Sequence, residues 1–135
     1  MITPGYEELE HTADIALRVW GGDFFALLRQ SAKGMYELMG AKPNLTEPQK
    51  TNFKIEDASQ ELQLIDFLNE ILFLAEDRAS IYETFIFDRG NEGLKVRASG
   101  YVAKSIYRNI KAVTFHDLEI IDIEGGLETR ITFDV

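Results

Sequence analysis

Two stretches of this chain space their apolar residues at threes and fours, and most of its other apolar segments alternate one residue in, one residue out. The first helical stretch follows Asp23, where Phe24, Leu27, Leu28, Ser31, Met35, Leu38 and Met39 share a face. Asp23 is a good N-cap and Gly40 a natural stop. The second runs from about Ser59 to Ala75, with Leu62, Ile65, Leu68, Leu72 and Ala75 on one face and Leu64, Phe67, Ile71 and Leu74 beside it. An apolar face that wide implies burial on more than one side. Gly34, inside the first helix, weakens it by up to ~1 kcal/mol relative to alanine, and its presence points to close packing against a neighbouring element.

The alternating segments are Ile15–Trp20, Asn52–Glu56, Ile81–Phe87, Leu94–Tyr101, Ile110–Phe115, Leu118–Ile123 and Leu127–Val135. Period two predicts half-buried strands, and the turn signals RGNEG and EGG predict antiparallel hairpins. Ala41–Gln49, with Pro43 and Pro48, is expected to be a loop and the best candidate for local mobility. The order strand, helix, strand, helix, meander predicts an α+β fold with helices packed on a mostly antiparallel sheet. It allows two strand-helix-strand-strand units. At 135 residues and 45% hydrophobic content, residues 1–135 are expected to form a single domain.

The acids outnumber the bases 23 to 14, a formal net charge of −9, which argues against strong direct nucleic-acid binding through the overall field. Cations or a basic protein surface are the expected charged partners. Without cysteine there is no disulfide, thiolate metal site or Cys nucleophile, which fits a cytoplasmic protein. No signal peptide and no apolar run long enough to cross a membrane are expected. Gly-rich phosphate loops and nucleophile elbows are absent, and the aromatics, Phe24, Phe25, Phe67, Phe73, Phe85 and Phe87 among them, fall on predicted core faces.

Chemistry-bearing residues gather at two places. HTAD, residues 11–14, sets Asp14 at the mouth of a strand, and TRITFDV alternates to the last residue, so Asp134 lies beside the terminal carboxylate of Val135. Neighbouring carboxylates repel, and a hard divalent cation commonly holds such groups in a defined geometry. If the two strand ends meet, Asp14, Asp134 and Val135 form an all-oxygen site suited to calcium, magnesium or manganese rather than zinc. The alternative is a solvated Asp134 at a frayed end. His116 and Asp117, as strand neighbours, are expected to point to opposite faces and make no dyad. With two histidines in the chain, His11 and His116 are each expected to be structural.

The blocks HTADIALRVWG (residues 11–21), LIDFLNEILFL (64–74), KAVTFH (111–116) and the closing FDV resemble the archease family, in order and across the chain. The resemblance implies two strand-helix-strand-strand units. It implies a non-catalytic protein cofactor of the tRNA-splicing RNA ligase, assisting guanylylation of the ligase histidine and multiple turnover. It assigns Asp14, Asp134 and the Val135 carboxylate to a metal site, with calcium the associated ion. A chaperone role toward a tRNA cytosine methyltransferase is the alternative, and a metal-dependent hydrolase a third. The chain departs from the family pattern in a short segment before Lys111, where Lys104 or Arg108 could stand for a basic residue, and in Phe115 where a Tyr is common.

Overall fold

The computed structural model describes residues 2–9, 14–91 and 93–135. The chain runs β1 (Gly5–Leu9), β2 (Ile15–Gly21), α1 (Phe24–Met39), β3 (Lys42–Ile55), α2 (Gln60–Arg78), β4 (Ser80–Gly90), β5 (Gly93–Ser105), β6 (Ala112–Thr114), β7 (Ile121–Ile123) and β8 (Gly126–Asp134). One sheet has the order β1-β2-β8-β6, with β7 also pairing β8, and the other has β3-β5-β4. Every pairing is antiparallel.

The α+β class and the twin units expected from the sequence are present, arranged as one unit inside the other. The segment β3-α2-β4-β5 is contiguous and builds the second sheet alone. It interrupts the outer unit β2-α1-β6-β8, whose sheet order β2-β8-β6 repeats the order β3-β5-β4 of the inner one. The expected single sheet is thus two. β1 is a strand that alternation did not reveal, added antiparallel to β2 from Gly5↔Trp20 to Leu9↔Ala16.

Local chemistry accounts for the helix ends. The Asp23 carboxylate accepts from the Ala26 N–H at 2.8 Å, and Gly40 closes α1 in the left-handed region, φ 61°. Ser59 caps α2 by accepting from the Leu62 N–H at 3.1 Å, and α2 runs three residues beyond the expected end, to Arg78, before Ala79 turns left-handed.

The expected loop Ala41–Gln49 is instead mostly strand, because β3 begins at Lys42. β3 is an edge strand, where a missing N–H can face outward, and its pairing with β5 slips between Lys42 and Pro43 and between Pro43 and Pro48. Prolines are tolerated under those conditions. Leu118–Ile123 contracts to a three-residue strand, β7.

The core is continuous across both units. α1 packs on β2 and β4, α2 on β4 and β6, and the helices touch each other. A Cβ on Gly34 would lie 2.7 Å from Leu17 Cδ1 and 3.1 Å from the Tyr6 ring, so this glycine does permit close approach of α1 to the first sheet. Phe67 of α2 meets Phe85 and Phe87 edge-on, at centroid distances of 5.2 and 5.5 Å, and stacks near Phe53. Phe73, expected in the core, is 54% exposed.

Candidate metal centre

β8 is the middle strand at one end of the first sheet, flanked by β2 and β6. Ile15 lies opposite Phe133, and Ala112 lies opposite Asp134. Asp14 directly precedes β2 and Asp134 is the last residue of β8, so both stand at the same end of this antiparallel ladder. The strand mouth and the last residues of the sequence, Asp134 and Val135, therefore occupy the same sheet end.

Asp134 is held by its neighbours. Phe133 and Ile131 are fully buried, anchoring β8, and the Asp134 carbonyl accepts from the Lys111 N–H at 2.7 Å. Thr114 Oγ1 donates to the Thr132 carbonyl at 3.3 Å. The frayed-end alternative does not describe β8, which stays paired through Asp134. The side chains of Asp14 and Asp134 are exposed, and among the described residues neither has an ion-pair partner. Among the described residues no three His, Asp or Glu side chains converge. The expected ligand set is two side-chain carboxylates and one main-chain carboxylate, and such a set of hard oxygens suits calcium, magnesium or manganese. His11, Thr12 and Ala13 lie outside the described residues.

Sequence reasoning missed the residue that braces this end. Asn69 of α2 donates from Nδ2 to the Val113 carbonyl at 3.2 Å and accepts at Oδ1 from the Val113 N–H at 3.0 Å. Val113 belongs to the edge strand β6, so a side-chain amide stands where a further strand would pair, tying the inner unit's helix to the strand beside Asp134. The available signal was an amide, Asn69, next to Phe67 and Leu68 on the apolar side of the helical block. Glu61 acts similarly, its Oε2 accepting from the Ile120 N–H at 3.2 Å.

His116 and Asp117 correct another expectation. They are not strand neighbours on opposite faces: β6 ends at Thr114, Asp117 is left-handed with φ 52°, and His116 Nε2 lies 3.1 Å from Asp117 Oδ2. Both are well exposed. Lys104, Arg108 and Lys111 have exposed or half-exposed side chains, and Arg108 is tied by its own N–H to the Met39 carbonyl at 3.0 Å.

In the middle of the same sheet, Arg18 bridges three strands. It pairs with Glu7 at 3.3 Å and Glu128 at 2.5 Å, with its guanidinium 4.7 Å above the Trp20 ring. The Glu128 hydrogen bond is the main reason the Arg18 pKa is raised. This cluster stitches β1, β2 and β8 together.

The architecture is an α+β protein of two nested strand-helix-strand-strand units, with Asp14 and Asp134 at the same end of one sheet. Residues 6–135 match the model of the Archease protein family (MTH1598/TM1083), and the chain belongs to that family. It is 27% identical to protein archease of Methanothermobacter thermautotrophicus over 138 residues, covering 97% of this chain and 99% of the relative. It is 29% identical to protein archease of Methanopyrus kandleri over 141 residues, covering 96% and 99%. The solution structure of Methanobacterium thermoautotrophicum protein 1598 superposes with a TM-score of 0.72 at 25% identity, covering 97% of this chain and 99% of that one. A Thermotoga maritima crystal structure, described as an archease and possible chaperone, superposes with a TM-score of 0.69 at 25% identity, covering 96% of each chain. Among the described residues no helix is long and apolar enough to cross a membrane.

Proposed function

We propose that this protein is a non-catalytic cofactor of a tRNA-splicing RNA ligase, working in the cytoplasm. Asp14, Asp134 and the Val135 carboxylate hold a divalent cation, calcium first among the candidates and manganese or magnesium next. The cation-bearing end is presented to the ligase active site, where it assists guanylylation and repeated turnover. The observation that supports the reading is the pairing of Ile15 with Phe133, which puts the neighbouring Asp14 and Asp134 at one end of the sheet, joined to family membership. Three negative groups at one sheet end make a cation energetically useful, because it removes their mutual repulsion. A protein that supplies charge and geometry to another enzyme's site needs no nucleophile or base of its own.

The second reading is a chaperone-like module for a tRNA-modifying methyltransferase. It is favoured by the description of the Thermotoga maritima relative and by the exposed Phe73. A metal-dependent hydrolase ranks third.

The deciding experiment is multiple-turnover ligation by the cognate ligase, with manganese and GTP, at substoichiometric amounts of this protein. Wild type is expected to stimulate, and Asp14→Ala to lose stimulation while keeping its fold. Adding one residue after Val135 displaces the main-chain carboxylate and is expected to weaken cation affinity. Stimulation by Asp14→Ala equal to wild type refutes the cation-site role. Absence of stimulation by either protein moves the chaperone reading forward.

A further inference from the structure

The net charge of −9 conceals a segregation that only the sheet pairing makes visible. β3 and β5 lie side by side, and between them they carry Lys42, Lys50, Lys54, Lys95, Arg97 and Lys104 against one acid, Glu47. Six of the chain's 14 basic residues therefore stand on two adjacent strands.

The register sorts these strands into faces. Leu94, Val96 and Ala98 point into the core, while Lys95 and Arg97 are exposed on the other side of β5. Residues directly opposite share a face, so Lys54, Lys95 and Asp88 form one row across the sheet. Asn52, Arg97 and Ile86 form the next, and Lys50, Ser99 and Thr84 the third. Both helices pack on the opposite face, leaving this one open.

Two features separate this face from an ordinary solvated surface. Lys54, which pairs with Glu56 at 3.8 Å, stands directly opposite Lys95, so two cations face each other across the strands. Among the described residues, Lys50, Lys95 and Arg97 have no ion-pair partner, and Asp88 is the one acid in the three rows. A shallow depression of about 470 Å³ lies between Asn52, Lys54, Ile86, Asp88, Lys95 and Arg97.

We propose that the open face of the β3-β5-β4 sheet is a docking surface for single-stranded RNA. The inference stands on charge segregation and does not depend on the cation site. A partner protein fits the face poorly, because stable protein interfaces centre on an apolar or aromatic cluster, and among the described residues Ile86 is the one large aliphatic side chain exposed in these three rows, with exposed Leu45 lying apart in the irregular stretch of β3 between Pro43 and Pro48. Nucleic-acid interfaces are more polar and much more positive. Alternate residues along β5 are about 6.8 Å apart. Lys95 and Arg97 thus form a stepped row of cations along the strand, suited to a repeating phosphate backbone rather than a single anion. Tyr101, half-buried further along the same side of β5, offers a ring for one base.

The test is fluorescence anisotropy of a labelled single-stranded RNA oligonucleotide, titrated with the whole protein at several salt concentrations. Four engaged cations, Lys50, Lys54, Lys95 and Arg97, give a slope of log affinity against log salt of about −2.8, a roughly twentyfold loss when salt is tripled. Lys95→Glu with Arg97→Glu is expected to lower affinity at least tenfold. Lys33→Glu, a single charge reversal at an exposed position of α1, is expected to leave it within twofold. Lys95→Gln with Arg97→Gln keeps the test decisive if charge reversal disturbs folding, and is expected to halve the slope to about −1.4. The proposal is overturned by no binding at 0.1 M salt, by equal loss in Lys33→Glu, or by a polyglutamate peptide that displaces the RNA at equal charge concentration. That last result would assign the face to an acidic protein segment.

Discussion

Replacing Asn69 with alanine tests how the two units are coupled. The substitution removes both hydrogen bonds to Val113, at 3.0 and 3.2 Å, and leaves the Val113 N–H and carbonyl facing the space that the amide filled. Net contributions of about 0.5–1.5 kcal/mol per bond give an expected loss of about 2 kcal/mol. Unfolding entropy of about 2.1 cal/mol/K per residue, over 135 residues, converts that to a fall in Tm of about 7 °C. Asn69→Asp keeps an acceptor for the Val113 N–H but aims a carboxylate oxygen at the Val113 carbonyl, so it is expected to cost at least as much. Hydrogen exchange at the Val113 amide gives the local readout, since its protection should fall more than that of Leu17 in the middle of β2. If cation binding is measurable, its affinity should fall too, because β6 pairs with Asp134. A Tm within 1 °C of wild type, with Val113 protection unchanged, would refute the idea that a side-chain amide replaces a strand at this edge.

Two other consequences can be checked on the isolated protein. Gly34→Ala gains up to about 1 kcal/mol of helix propensity, yet its Cβ would sit 2.7 Å from a methyl of fully buried Leu17; overpacking of about 1–3 kcal/mol should win, giving a lower Tm by chemical or thermal melting. Burial, helped by its hydrogen bond to Glu37, pushes the Tyr6 phenol from 10.0 up to about 12. Its folded pKa is above its unfolded one, so its contribution is present below pH 10 and lost as pH rises toward 12. Tyr6→Phe should therefore show a shallower alkaline loss of stability than wild type across that interval, and equal slopes would refute the linkage.

How far the sequence could be read depended on whether the determining interaction was local. α1 was legible almost to the residue, because Asp23, the apolar spacing and Gly40 all act within a turn of their own position. β3 was not, since Pro43 and Pro48 are turn signals locally and become acceptable only on a strand with one unpaired edge. The division into two sheets escaped for a related reason: alternation reports which side chains are buried but not which strand they are buried beside. At the candidate site, the alternation of TRITFDV and the placement of Asp14 were visible. The alignment of residues 118 positions apart, Ile15 with Phe133, required the fold. Asn69 looked like a polar residue next to Phe67 and Leu68, and its role depends on an edge strand that lies 44 residues away.

The nesting of one unit within the other sets an order of assembly. The inner unit, β3 to β5, closes its sheet through neighbours in sequence, with Arg89 already opposite Leu94 across a tight hairpin. The outer sheet must bring β2 to β8 across the whole inserted unit, and so bears a larger loop-closure cost before any contact repays it. Docking the finished inner unit shortens that search, because α2 then offers Asn69 to β6 and the buried faces of α1 and β2 have a surface to collapse onto. The end of the sheet that carries Asp14 and Asp134 thus depends on the longest-range pairing in the fold, so its integrity reports on the whole chain and not on one unit.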